Sequence, residues 1–154
     1  MTTNMKIAIG SDHAATDLKK RIIELLKERN CQVEDLGTHG KDSVDYPDFG
    51  EKVSDMVSRG EVDRGILICG TGIGMSIVAN KFPGVRASLC NDAYAAKMSR
   101  LHNNANLLIL PGRMIDSTSA KEIVSIWFTT SFEGGRHQRR IDKIKAIEER
   151  LKCQ

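Results

Sequence analysis

Gly65-Ile66-Leu67-Ile68-Cys69-Gly70-Thr71-Gly72-Ile73-Gly74-Met75-Ser76-Ile77 decides how this chain is read. A short apolar run ends at a cysteine, glycines follow at alternate positions, and a helical pattern then opens. The run reads as a buried strand that delivers a thiol to a tight turn, and the turn feeds a helix N-terminus. Backbone N–H groups there have no partner within the helix, and the macrodipole favours negative charge. The turn can therefore stabilise an anion, either on a ligand or on Cys69 itself.

The same alternation extends in both directions. Upstream, Lys6 to Gly10 is a short buried strand, and Ser11-Asp12-His13 turns the chain. Ala14, Leu18, Ile22, Leu25 and Leu26 recur at helical spacing, with Lys19, Lys20, Glu24 and Lys27 on the other face, as far as Asn30. Residues 32–37 alternate as a weaker strand, 38–47 form a polar loop, and a helix follows Pro47 and stops at Gly60. Downstream, Ile73, Ile77 and Val78 line a helix that ends before Pro83-Gly84. Residues 85–90 form the fourth strand, and Asp92 caps the helix of Ala93, Ala96, Lys97 and Arg100. Residues 106–110 form the fifth strand, closed by Pro111-Gly112, and Ser117 or Ser119 caps the next helix, which carries Ile123, Val124, Ile126 and Trp127. A last helix, about 138–152, carries the stripe Ile141, Ile144, Ile147 and Leu151, expected to pack on a partner subunit. Strands alternating with helices predict an α/β fold with a parallel sheet covered on both faces. No linker or repeat interrupts it, so residues 1–154 are expected to form a single domain.

Composition narrows the function classes. A net charge of +3 is too small to argue for nucleic acid and suits weak attraction of small anions. Cys31, Cys69, Cys90 and Cys153 form no C-x-x-C pair and no zinc spacing, which points to free thiols in a reducing cytosol. The start Met1-Thr2-Thr3-Asn4 is polar and runs straight into a strand, so no signal peptide is expected. No apolar stretch approaches the roughly 18 residues of a membrane span.

In open parallel sheets, ligands bind beyond the carboxyl ends of the strands. Asp12 and His13 fall there after strand one, Cys69 and the glycines after strand three, and Arg113 after strand five. His102 and Asn103 lie between a helix and strand five, on the opposite rim. They cannot reach the cleft of their own chain unless they belong to the cleft of a neighbouring subunit. The glycine turn is not a dinucleotide fingerprint, because the last glycine of G-x-G-x-x-G is Met75. Arg136 and Arg140, one helical turn apart, could grip one phosphate. Each feature also has a plain reading: a small buried thiol, a helix cap, a solvated loop, a basic surface face.

Taken together, Gly10-Ser11-Asp12-His13-Ala14-Ala15, Asp45-Tyr46-Pro47-Asp48, Cys69 to Ser76 and Arg136-His137-Gln138-Arg139-Arg140 resemble type B ribose-5-phosphate isomerases. That family also includes isomerases of galactose 6-phosphate and allose 6-phosphate. The resemblance implies a Rossmann-like three-layer fold with a five-stranded parallel sheet, and interconversion of ribose 5-phosphate and ribulose 5-phosphate without metal or nucleotide. It implies a homodimer or homotetramer with sites shared between subunits. Cys69 would be the base that moves a proton between C2 and C1, supported by Thr71. Backbone amides from Gly70 through Gly72 and Ile73 to Gly74 would hold the enediolate oxygen. His102 would open the ring. Asp12 and His13 would bind at the ring-opening end, Tyr46 would line the cleft, and Asn103 and Arg113 would touch substrate. Arg136 and Arg140 would hold the phosphate. A six-carbon phosphosugar substrate, a non-catalytic phosphosugar-binding regulator and, more distantly, a nucleotide-dependent oxidoreductase remain as alternatives.

Overall fold

Short apolar runs separated by amphipathic helices build the expected layers. The computed structural model describes residues 4–154. In chain order the elements are β1 (Lys6–Ser11), a 3-10 turn (His13–Ala15), α1 (Thr16–Glu28), β2 (Gln32–Asp35), α2 (Tyr46–Ser58) and β3 (Arg64–Cys69). Then come α3 (Ile73–Ala79), β4 (Ala87–Leu89), α4 (Ala93–Asn103), β5 (Leu107–Pro111), α5 (Ser117–Thr129) and α6 (Arg136–Lys152). The five strands form one sheet in the order β2-β1-β3-β5-β4, and every pairing is parallel.

Successive side chains of a strand point to opposite faces, and here both faces are apolar. Ile7, Ile9, Ile66, Ile68, Leu108 and Leu110 pack on one side against α1, α4 and α5, around the buried Trp127. Ala8, Leu67, Leu107 and Ile109 pack on the other against Val53 and Val57 of α2 and Met75 and Ala79 of α3. The central strands β1 and β3 are neighbours, yet β1 leads to α1 on the first face and β3 to α3 on the second. Their outgoing connections part, and that divergence opens the crevice in which parallel α/β sheets bind ligands.

Several local expectations are corrected. The fourth strand shrinks from 85–90 to Ala87–Leu89 because asparagines intercept its edge. Asn80 Oδ1 accepts from the Ala87 amide at 3.0 Å, its Nδ2 donates to the Ala87 carbonyl at 3.1 Å, and the Arg86 amide donates to Asn106 Oδ1 at 2.8 Å. This also caps an otherwise open sheet edge. The cap of α5 is Asp116, not Ser117 or Ser119; its Oδ1 accepts from the Ser119 amide at 2.7 Å. That bond holds the Asp116 carboxyl below the usual carboxylate range. Pro111 closes β5 as its last residue, and Tyr46 rather than a residue after Pro47 opens α2. The last helix begins at Arg136, directly after Gly134 and Gly135 at φ +73° and +56°.

Two burial expectations also change. Ile73 and Ile77 are 56% and 59% exposed, while Met75 and Ala79 are fully buried. α2 packs closely on this face at Gly50, where a Cβ would lie 2.9 Å from Met75 Sδ and 3.1 Å from Val78 Cγ1. Lys19, read on the polar face of α1, is 1% exposed. Its Nζ donates to Asp35 Oδ1 at 2.6 Å and to the Thr38 carbonyl at 2.7 Å.

Candidate active site

The crevice is assembled by backbone bonds between turns. The Asp12 amide donates to the Ile68 carbonyl at 3.3 Å, which sets Asp12 beside the end of β3. The Gly112 amide donates to the Cys69 carbonyl at 2.7 Å, and the Arg113 amide donates to the Gly70 carbonyl at 3.0 Å. The turn after β3 is thus tied to its neighbours on both sides. Asp12 Oδ1 accepts from the Ala14 amide at 3.0 Å, so part of its carboxylate caps the 3-10 turn. His13 Nδ1 accepts from the Val44 amide at 3.2 Å. An accepting Nδ1 puts the ring proton on Nε2 and anchors the polar loop of residues 38–47 to the crevice.

Cys69 is 5% exposed, at the end of β3 and at the boundary of the second core. It packs with the second core at the root of the glycine turn. Gly72 sits at φ +77°, where a side chain would be strained. A Cβ on Gly70 would lie 3.2 Å from Arg113 Cδ, so the arginine lies across that glycine. A Cβ on Gly74 would fall 2.3 Å from the Tyr46 ring, so the tyrosine covers the other end of the turn. Among the described residues, the amides of Gly70, Thr71, Gly72 and Gly74 donate to no acceptor. The Ile73 amide is different: it donates to Thr71 Oγ1 at 3.3 Å. The expected five-residue cradle therefore loses Ile73 as a free donor and engages Thr71 as an acceptor. Because α3 is only seven residues long, the electropositive character rests on these free amides more than on a helix dipole.

The other half of the candidate residues stands at the opposite rim. His102 and Asn103 end α4, and the chain then turns through Asn104 at φ +45° into β5. β5 spans about 13 Å at roughly 3.3 Å per residue, so His102 and Cys69 lie at opposite ends of the sheet. The Glu133 amide donates to the Leu101 carbonyl at 3.0 Å and docks the α5–α6 connection on the end of α4. Arg100 reinforces this joint, donating to the Ala105 carbonyl at 2.6 Å and the Thr130 carbonyl at 3.4 Å. Its guanidinium is pulled down to about 10 by burial and by the nearby Arg64 and Arg86. Arg136 and Arg140 stand exposed on the first turns of α6, on this same rim. One protomer thus brings together Asp12, His13, Tyr46, Cys69, Thr71, the glycines and Arg113, and separately His102, Asn103, Arg136 and Arg140. It does not bring the two sets to each other.

Sequence reading missed a cluster in the second set. The His102 and His137 rings stack with centroids 4.2 Å apart and planes 10° from parallel. Glu133 Oε2 lies 3.4 Å from His137 Nε2 and 3.9 Å from His102 Nε2. The signal available was the i,i+4 spacing of Glu133 and His137. Burial pushes the His137 imidazole down, helped by His102, Arg136 and Arg140 and opposed by Glu133. These three ligand atoms lie within 4.8 Å of one another, close enough to suggest a cation. The lone pairs of parallel stacked rings run side by side, however, and do not converge on one ion. A groove of about 660 Å³ runs between α6 and the α3–β4 connection, and of the candidate residues only Asn103 lines it. No helix of the described residues is long and apolar enough to cross a membrane.

These features define a parallel α/β protein whose candidate residues gather beyond the carboxyl ends of β1, β3 and β5, with a thiol immediately before a turn of free amides. The sequence pattern of the ribose/galactose isomerase family matches residues 7–144, and the chain belongs to that family. It is similar to ribose-5-phosphate isomerase B of Escherichia coli, 48% identical over 94% of this chain and 97% of that one. It is 41% identical to D-erythrulose-4-phosphate isomerase of Pectobacterium atrosepticum, over 97% of this chain and 99% of the relative. Its fold superposes on ribose-5-phosphate isomerase B of Clostridium thermocellum with a TM-score of 0.93 and 54% identity, covering 96% of this chain and 99% of that structure.

Proposed function

We propose that this protein interconverts D-ribose 5-phosphate and D-ribulose 5-phosphate through an enediolate, in the cytoplasm and without a cofactor. The observation that carries the reading is Cys69 at the end of β3, immediately before a turn whose amides lack acceptors. A proton α to a carbonyl is weakly acidic, and its removal leaves negative charge on the carbonyl oxygen. Fixed donors aimed at that oxygen supply the stabilisation.

His102 gives a proton to the ring oxygen as the C1–O bond breaks, and the anomeric hydroxyl gives its proton to water, so that C1 becomes an aldehyde. The Cys69 thiolate takes the C2 proton, and the electron pair forms the C1–C2 double bond of the enediolate. Amides of the Gly70–Gly74 turn hold the oxygen. Cys69 then returns the proton to C1, while the C2 hydroxyl proton passes to the negatively charged oxygen on C1, leaving a ketone at C2 and a hydroxyl at C1. Thr71 orients the hydroxyl end. Asp12, His13, Tyr46, Asn103 and Arg113 position the sugar. Arg136 and Arg140 hold the phosphate, whose binding energy orients the reacting carbons.

Residues on opposite rims of one sheet serve one substrate only if two protomers share it. The working unit is accordingly a homodimer, alone or paired as a tetramer, with each protomer lending His102, Asn103, Arg136 and Arg140 to its neighbour. The exposed stripe Ile144, Ile147 and Leu151 of α6 supports such packing. The phosphosugar is the partner; nothing in the charge distribution calls for nucleic acid or membrane.

The test is an isomerase assay with four-, five- and six-carbon sugar phosphates on wild type and Cys69→Ala. Wild type should favour ribose 5-phosphate. Cys69→Ala should lose turnover and exchange of the C2 hydrogen with solvent, while still binding ribose 5-phosphate. Near-normal turnover in that variant refutes the base. Preference for galactose or allose 6-phosphate, which the family's description accommodates, would reassign the substrate.

A further inference from the structure

The ring-opening role of His102 leaves a physical requirement unmet. An imidazole that acts as an acid must hold its proton and keep a fixed plane. His102 lies in the last turn of α4, where the helix dipole favours a cation, but its side chain is 38% exposed, so its own helix does not fix the plane of the ring. Two groups that the mechanism above does not use stand against it. The His137 ring lies parallel to it at 4.2 Å, and that ring is itself nearly buried. The Glu133 carboxylate closes over the Nε2 edges of both rings.

We propose that Glu133 and His137 are the positioning residues of the ring-opening step: the stacked His137 ring fixes the plane of His102, and the Glu133 carboxylate, 3.4 Å from His137 Nε2 and 3.9 Å from His102 Nε2, presents its charge to the Nε2 edges of the stacked pair. The proposal rests on the reading of His102 as the ring-opening acid.

Charged groups from three parts of the chain surround the pair. From α6, Arg136 and Arg140 raise the potential at His137, and from α4, His102 does the same. Arg100, also on α4, turns its guanidinium to the Ala105 and Thr130 carbonyls. Glu133, on the connection between α5 and α6, is the carboxylate against the pair. His137 is the buried member, and burial disfavours its charged form. During ring opening a proton passes from His102 to the ring oxygen, which takes the C–O electron pair, and the anomeric hydroxyl gives its proton to water; ring closure reverses both transfers.

This geometry has a backbone origin. Gly134 and Gly135 at positive φ fold the chain back after Glu133, and α6 starts at once. Glu133 and His137 then fall at i,i+4, and the Glu133 amide bond to the Leu101 carbonyl sets both against α4. The clamp therefore comes with the joint that presents Arg136 and Arg140.

The experiment compares Glu133→Gln, His137→Phe, His137→Ala and His102→Asn on two substrates. Ribose 5-phosphate must open from a furanose. Erythrose 4-phosphate cannot close one, because its terminal oxygen is esterified. Glu133→Gln should lower kcat on ribose 5-phosphate by about tenfold to a hundredfold, the range of a compromised general acid, with little change in KM or in the erythrose 4-phosphate rate. His137→Phe keeps a flat ring against His102 and should retain more activity than His137→Ala. The imidazole nitrogen resonances of His102 should move in Glu133→Gln, an effect that needs no turnover. The inference alone is overturned if His102→Asn discriminates between the substrates while Glu133→Gln does not, or if the His102 resonances stay in place. Equal losses by His102→Asn on both substrates would overturn the ring-opening reading and this inference with it.

Discussion

Replacing Gly72 by alanine separates what the glycine turn does for the fold from what it does for chemistry. Two costs can be read off its surroundings. At φ +77° an L side chain sits in the left-handed region, which costs about 1–2 kcal/mol. The new Cβ would also fall 2.4 Å from Leu89 Cδ1 and 3.2 Å from Ile109 Cγ2. Leu89 ends an edge strand and can rotate away, whereas Ile109 is buried in β5. Overpacking of that kind costs about 1–3 kcal/mol, for a total of about 2–5 kcal/mol. Gly60 is the control, because it has φ +70° and nothing within 4 Å of its would-be Cβ. Gly60→Ala should cost the backbone term alone, about 1–2 kcal/mol. With a urea slope of about 2 kcal/mol/M, the midpoint should fall by about 0.5–1 M for Gly60→Ala and by about 1–2.5 M for Gly72→Ala. The folded Gly72→Ala protein should also lose about a hundredfold in kcat, since displacing one donor of an oxyanion site has that effect. Gly60→Ala should keep its rate. Coincident urea midpoints for the two variants would show that the contact with Leu89 is not felt. Full kcat in Gly72→Ala would remove the turn's amides from the reaction.

Two further outcomes are expected. In Gly74→Ala the new methyl meets the Tyr46 ring at 2.3–2.6 Å and evicts it, but the backbone is helical there; stability should change by less than about 1 kcal/mol while KM rises severalfold and kcat holds, checked by urea melts and steady-state kinetics. Lys19→Met leaves Asp35 and the Thr38 carbonyl without their buried cation; Asp35 is 29% exposed, so the loss should be about 2–3 kcal/mol, below that of a fully buried pair, and a urea midpoint equal to wild type would refute it.

The parallel sheet was legible because buried central strands need continuous apolar runs, and Ile66 to Ile68 and Leu107 to Leu110 are such runs. The first half of the site was legible for the same reason: strand ends are where chemistry can reach solvent, and Cys69, Asp12 and Arg113 fall there. Other features depend on pairings between distant segments, which periodicity does not encode. Lys19 reads as a solvated lysine until β2 and the Thr38 loop enclose it. Glu133 carries no periodic signal and His137 reads as part of a basic face until the Glu133 amide bond to the Leu101 carbonyl sets both against His102.

The apolar stripes show most clearly what a helical period does and does not convey. Ile141 is buried, while Ile144, Ile147 and Leu151 continue the same stripe at 52%, 47% and 57% exposure. Ile73 and Ile77 are likewise open on α3. Periodicity reports that a face avoids water, but not which molecule covers it. Leu26 and Trp127 are covered by their own chain, and these five residues are not. Each stripe also begins beside one half of the divided site: Ile73 borders the Cys69 turn, and the α6 stripe begins one turn beyond Arg136 and His137. A second protomer seated on both stripes would bury apolar surface and join the two halves at once. The energetic case for association and the chemical case for a shared site thus rest on the same helices.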